Sequence, residues 1–281
     1  MTFARAALVG CGMVGGSLMA ALRAAAVVER VVGFDRAAAH AEAARSRGLV
    51  DEVAPDAASA ARGAQLVVLA VPVGATAEVC AAIAGAVAEA TLVTDVGSTK
   101  TDVVAAAEAG LPDAARFCGA HPMAGTEKSG PAAADAALFQ GKLAILTPTA
   151  RTSPAARAAC ADLWKAAGAR TREMTPAAHD RAMAWVSHLP HVVAFALASA
   201  VGGDEFAGLA GGGFADTTRI AASDPAMWRD IFLANRAALL DAIHGFEGQL
   251  AALRAAIESG DPARIEGSVL AGRSGRARVL R

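Results

Sequence analysis

The sequence has almost no net charge: 26 Lys and Arg stand against 27 Asp and Glu, a formal −1. That excludes the broad basic field a nucleic-acid partner requires, and equally a strong polyanionic character. The expected partner is a small molecule. Cysteine is sparse too. Cys11, Cys80, Cys118 and Cys160 are scattered, with no C-x-x-C pair and no zinc-like clustering. Neither a disulfide framework nor a metal site is expected, and reduced thiols fit a cytoplasmic protein. Met1 to Arg5 runs straight into an apolar stretch, without the charged-then-apolar order of a signal peptide. The longest apolar runs are Ala-rich and broken by charge, so no membrane span is expected. Lysine is missing altogether from 175–281. What is plentiful is apolar side chain, 54% of 281 residues, enough for one large domain or two ordinary ones.

The first motif follows at once. AALVG at 6–10 reads as a short strand that runs into GCGMVGGS, where Gly10, Gly12 and Gly15 make G-x-G-x-x-G. Gly10 permits a tight turn, Gly12 lets backbone approach a pyrophosphate, and Gly15 lets helix and strand pack closely. Phosphates would sit on the N–H groups of a helix starting near Met13 and Val14. A second strand, VVGF at 31–34, ends in Asp35, about twenty residues past the last glycine, where a ribose-binding acid belongs. Asp35 favours NAD over NADP by repelling a 2′-phosphate, although Arg36 beside it would tolerate one.

The alternation continues, with helices expected near 37–47, 56–62, 75–88 and 153–167 and strands at 65–73, 91–96, 142–147 and 169–173. Continuous apolar strands between helices predict a parallel sheet covered on both faces. Val71 and Pro72 close one strand at its carboxyl end, where ligands of such sheets bind. DVGSTK at 95–100 closes the next, and Ser98 and Thr99 are placed to cap the following helix. From Thr175 the pattern turns wholly helical: a long helix over 178–201 interrupted at Pro190, helices over 225–257, and a basic, frayed end. The boundary is expected near 174, giving a dinucleotide-binding domain over 1–174 and a helical domain over 175–281.

FCGAHPMAGTEKSGP at 117–131 is read as a polar loop within this apolar chain, and it carries His121. His188 and His191 lie three apart in SHLPH, but no carboxylate or cysteine nearby completes a metal set. A second cluster, GGGFADTTRIA at 211–221, places Arg219 before an apolar run, where it must be paired or aimed into a site. A bidentate grip on a carboxylate suits it. Asp216 either holds Arg219 or caps the next helix, and Trp228 reads as packing.

GCGMVGGS, VPV, DVGSTK, HPMAGTEKSG, SHLPH, GGGFADTTRIA and SDPAMWRDIF, in this order, resemble the prephenate/arogenate dehydrogenases of tyrosine biosynthesis, over roughly residues 5–257. The resemblance implies a Rossmann-type α/β domain followed by an all-α dimerisation domain, and a homodimer. It implies oxidative decarboxylation of prephenate or arogenate with NAD or NADP. His121 would then take the proton of the ring hydroxyl, and Ser98 would orient it. Arg219, His191, His188, Thr126 and Glu127 would bind the substrate. Members of the family often carry lysine where this sequence has Ala215. No fused mutase segment and no regulatory domain are expected, hence a monofunctional enzyme. Related two-domain dehydrogenases of the β-hydroxyacid and 6-phosphogluconate type use a lysine in the helical domain, and 175–281 has none.

Overall fold

A computed structural model describes residues 1–125 and 128–280. The chain forms two compact units, Met1–Asn235 and a smaller one from Arg236 onward. The first is built on a sheet of eight strands, with β1 at Phe3–Val9, β2 at Val28–Phe34, β3 at Glu52–Val53, β4 at Leu66–Leu69, β5 at Leu92–Asp95, β6 at Phe117–Pro122, β7 at Leu143–Thr147 and β8 at Arg170–Glu173. The order is β3-β2-β1-β4-β5-β6-β7-β8. The helices between them are α1 (Met13–Ala24), α2 (Ala38–Ser46), α3 (Ala57–Ala61), α4 (Thr76–Ile83), α5 (Thr101–Gly110) and α6 (Pro154–Ala166).

Consecutive strand residues feed two different cores, which is why the strands read as unbroken apolar runs. Ala6, Leu8, Leu66 and Val68 join a core with Leu18, Leu22, Leu163 and Trp164 from α1 and α6. Ala7, Val9, Val67 and Leu69 join the opposite one, with Cys80, Ile83, Val103 and Ala107 from α4 and α5. The sheet departs from the all-parallel expectation at one edge: β6 and β7 pair antiparallel, with His121 opposite Ile145. His121 therefore stands on a buried strand and not in a loop. The β-strand pairing with β7 extends ordered backbone through Pro122. Val71 and Pro72 lie just beyond β4, which ends at Leu69.

After β8 the unit continues as α7 (Pro176–Met183), α8 (Leu189–Val201), α9 (Gly212–Thr218) and α10 (Pro225–Ala234). The expected break at Pro190 is absent. A π-helical turn over Ala184–His188 joins α7 to α8, and Pro190 falls in the first turn of α8. The wider turn absorbs the hydrogen bond that proline cannot make. Joined in this way, Pro176–Val201 is long and apolar enough to cross a membrane by length and composition, against expectation. Its buried His179, Asp180 and His188 instead bind it to the sheet and to α10, as described below.

The second unit holds α11 (Arg236–Glu258) and α12 (Pro262–Val279), which pack on each other across a turn at Gly260. The basic end is thus a helix and not frayed. Asp261 caps its start by accepting from the Ala263 N–H, and α11 packs alongside it.

Candidate active site

Three structural devices meet at the carboxyl edge of the parallel strands. The first is the glycine turn. Gly10 has φ +97°, and a Cβ there would lie 2.3 Å from the Ala70 carbonyl oxygen, so only glycine fits. A Cβ on Gly15 would come within 2.8 Å of Leu8 and Ala70, the close helix–strand packing expected of it. Gly12 faces open space, and as N-cap of α1 it offers no side-chain cap to the first-turn N–H groups. Met13 is buried and Val14 half-buried at that helix start. Asp35 directly follows β2 and accepts from Cys11 N–H at 2.8 Å through one oxygen and from Ala37 N–H at 2.8 Å through the other. It therefore ties the glycine turn to β2, with lone pairs left for a ligand. Arg36 beside it is exposed.

The second device is a buried ion pair. The Lys100 ammonium meets the Asp95 carboxylate in full burial and donates to the Ala120 carbonyl at 2.9 Å. Asp95 in turn accepts from Ala120 N–H at 3.0 Å and from Gly97 N–H at 2.7 Å. The two ends of DVGSTK thus clamp the backbone immediately before His121, and they hold the half-buried Ser98 in a turn at the end of β5. Ser98 and Thr99 do not cap α5. The N-cap position is Lys100, without a side-chain cap, and the carboxylate of Asp180 from α7 takes the N–H groups of Lys100 and Thr101 at 2.8 Å each. A fixed, charge-assisted acceptor on a neighbouring helix displaced the local hydroxyls.

The third device is a chain of imidazoles. His121 Nδ1 lies 2.8 Å from His179 Nε2, and His179 Nδ1 lies 2.8 Å from Asp180 Oδ1. Burial raises the Asp180 carboxyl pKa, but hydrogen bonds from His179, Thr101 and Lys100 outweigh it and hold the group down at about 2. His121 is pushed well below the ordinary histidine value, first by burial and then by the charges of His179, Lys100 and His188. It is a neutral ring with one nitrogen committed.

Beside this chain lies a second histidine group. The Asn235 amide donates to the Asp180 carbonyl at 2.8 Å and to His188 Nδ1 at 3.0 Å. His188 must then carry its hydrogen on Nε2, which is buried and has no partner among the described residues. Burial first of all lowers the pKa of His188 to about 4. His191 donates from Nδ1 to the Ser187 carbonyl at 2.9 Å and stacks on Trp228 with ring centroids 3.6 Å apart. Its pKa is lowered by burial, and the charge of Arg219 acts in the same direction. Arg219 itself is exposed and opens a short 3₁₀ segment, Arg219–Ala222. The next helix, α10, is capped by Asp224, which accepts from Met227 N–H, and not by Asp216. Thr126 and Glu127 lie outside the described residues.

Sequence reasoning placed His121, Ser98, His188, His191 and Arg219 here but passed over His179, Asp180, Lys100 and Asn235. Asp95 and Lys100 bracket one motif and were readable as a pair. The His179–Asp180 dipeptide gave no such signal, because neighbours on a helix do not ordinarily face one another.

An open helix start at the carboxyl edge of a doubly covered sheet, with a neutral histidine at the end of β6, the sixth strand of the parallel set, puts the molecule among the dinucleotide-dependent dehydrogenases. Comparison with known proteins narrows this. The family described as prephenate dehydrogenase, nucleotide-binding domain, matches residues 18–173, and prephenate dehydrogenase, dimerization domain, matches 175–267. A cyclohexadienyl dehydrogenase of Zymomonas mobilis is 39% identical over 265 residues, 92% of this chain and 90% of that protein. A solved structure of prephenate dehydrogenase from Aquifex aeolicus, in complex with hydroxyphenyl propionate and NAD+, superposes with a TM-score of 0.92 at 34% identity, covering 99% of each chain. A Synechocystis arogenate dehydrogenase superposes with a TM-score of 0.81 at 29% identity over 98% of this chain and 99% of that one. The chain belongs to the prephenate dehydrogenase family.

Proposed function

We propose that the protein oxidises and decarboxylates prephenate, arogenate or both with NAD, giving 4-hydroxyphenylpyruvate or tyrosine, CO2 and reduced cofactor. The observation that carries this reading is the His121 ring, neutral, buried, and bound through Nδ1 so that Nε2 is its remaining base. In either substrate the hydroxyl on ring C4 lies against His121 Nε2, which takes its proton as hydride leaves C4. That hydride passes to the nicotinamide when it is bound. Loss of the ring carboxylate as CO2 returns its bond electrons to the ring and aromatises it. The oxygen on C4 then recovers its proton from His121. No net proton is released, so a neutral base that lends a site and gives it back is sufficient.

The cofactor fits the chain's own residues. Gly10, Gly12, Met13, Val14 and Gly15 would hold the pyrophosphate on the uncapped start of α1. Asp35 would take the adenosine ribose, with Arg36, Val71 and Pro72 lining the approach. Ser98 would contact the substrate hydroxyl from the clamped turn. Arg219, His191 and His188 would meet the carboxylates, and Thr126 and Glu127 belong to the same proposed pocket. We keep the functional boundary near 174, with 1–174 binding the dinucleotide and 175–281 covering the substrate and forming a homodimer. The reduced, buried cysteines support a cytoplasmic setting.

The test is the initial rate of absorbance at 340 nm, crossing prephenate and arogenate with NAD and NADP. Turnover of either substrate supports the reaction, and the ratios fix substrate and cofactor preference. Binding of NAD without turnover of either substrate would leave a dinucleotide sensor, the second reading.

A further inference from the structure

The His121–His179–Asp180 chain has a direction, and the direction is set from its far end. Asp180 has two oxygens, and both are spoken for by donors: Lys100 N–H and His179 on Oδ1, Thr101 N–H on Oδ2. An ionised carboxylate only accepts, so the hydrogen between Asp180 and His179 belongs to His179 Nδ1. With a single hydrogen on the His179 ring, Nε2 is then a lone pair, and the 2.8 Å contact with His121 Nδ1 is made by His121 donating. The hydrogen of His121 is fixed on Nδ1, and Nε2 is left as the base. The two rings meet edge to face, with centroids 5.0 Å apart, and His179 is sealed from solvent.

We propose that His179 and Asp180 are positioning residues which fix the tautomer of His121 and serve it as a proton relay. As His121 Nε2 forms a bond to the substrate proton, its Nδ1–H bond breaks and that proton forms a bond to His179 Nε2. The positive charge thereby moves one ring along, to a histidine whose other nitrogen donates to a carboxylate. Every transfer reverses when the C4 oxygen recovers its proton. The charged groups around the chain favour this placement. Lys100, although paired with Asp95, acts against positive charge on His121, as does any charge on His188; Asp180 is the anion, and it lies against His179. The arrangement differs from a plain base–carboxylate dyad in having a second imidazole between base and anion.

The catalytic step rests on the dehydrogenase reading above, whereas the tautomer does not, so the two can fail separately. The first arm is ¹⁵N-histidine NMR of the full-length protein without ligand, with His121 assigned from the signals lost in His121→Gln. The expected result is a neutral His121 with hydrogen on Nδ1 in the wild type. Asp180→Asn, whose amide can donate to His179 Nδ1, is expected to move that hydrogen to Nε2. A wild-type His121 carrying its hydrogen on Nε2 would overturn the proposal, as would an unchanged tautomer in Asp180→Asn. The second arm is a proton inventory on kcat/KM in mixtures of H2O and D2O. The wild type is expected to give a curved plot, from two protons moving together. In His179→Gln, whose oxygen can accept from His121 but cannot take up its proton, the plot is expected to straighten. kcat should fall about 10- to 100-fold there while KM and NAD affinity hold. A linear wild-type inventory overturns the relay by itself, whether or not any variant folds. Absence of turnover with both substrates would sink the dehydrogenase reading while leaving the NMR result to stand.

Discussion

Lys100 and Asp95 form an ion pair with no access to solvent, and the backbone of Ala120 is bonded to both partners. One residue beyond Ala120 is His121. The pair thus couples the end of β5 to the end of β6 at the point where the proposed base is mounted. A buried pair of this kind adds little net stability, but removing one partner leaves a charge without its counterion.

Lys100→Met is expected to destabilise the fold by about 3–5 kcal/mol, read from urea unfolding midpoints at pH 7.5. Loss below about 1 kcal/mol would mean that the backbone N–H groups on Asp95 compensate fully. The acid limb of kcat/KM should also move upward, since Lys100 helps to keep His121 neutral.

Stability should decline as pH falls below about 6.5. His188 binds a proton near pH 6.5 when unfolded and near 4 when folded, so the unfolded state takes up protons first. Its contribution is complete above pH 6.5 and is lost as pH falls toward 4, about 3 kcal/mol in all. His121 and His191 act in the same direction. Below pH 4 Asp180 adds a second decline, as its carboxylate protonates on the way to 2. Unfolding free energies at pH 7.5, 6, 5 and 4.5 would show it, and a flat profile across that range would refute the buried, neutral state of these rings.

His121→Ala is expected to lower kcat by ~10²–10⁴-fold with the dissociation constant for NAD unchanged, because the base is lost while the glycine turn is untouched. Fluorescence titration of NAD alongside steady-state rates separates the two quantities. Wild-type kcat would remove His121 from the chemistry.

For Arg219→Lys the change should appear mainly in KM, raised about tenfold with kcat nearly intact, since a point charge replaces a two-pronged donor. KM for substrate and for NAD, measured separately, locate the effect. An unaltered substrate KM would give Arg219 a purely structural role.

Asp35→Asn keeps an oxygen for the Cys11 N–H and removes the charge proposed to face an adenosine 2′-phosphate. The ratio of kcat/KM for NADP over NAD should rise about tenfold or more. If the ratio stays constant, Arg36 and not Asp35 governs the choice of cofactor.

Much of this protein was legible in its sequence because the relevant physics is local. A strand meeting G-x-G-x-x-G and then a helix is specified by residues within one turn of each other, and Gly10 and Gly15 occupy the tight turn and the close contact expected of them. The two-sided burial of the sheet was likewise written in unbroken apolar runs. The antiparallel edge was not: β6 and β7 are separated by an irregular stretch, and which way a strand enters beside its neighbour depends on where that stretch leads. The frayed end was misread because α12 is apolar on no obvious face and is held by its cap and by α11.

The site divides along the same line. The glycine turn, and the candidates for the base and the substrate-binding arginine, were readable from the sequence itself, since each residue type carries its chemistry wherever it sits. Their state was decided only by the tertiary structure. His179 and His191 are twelve residues apart, which on a regular α-helix leaves them about 120° apart around the axis. The π turn between them takes up one extra residue and reduces this to about 20°. Only the packing of α7 against the start of α5 brings the Asp180 carboxylate to two free N–H groups, and only that contact determines which nitrogen of His121 carries a hydrogen. Residue type specifies what a group is able to do, while the partners that set its protonation come from elements far apart in the chain.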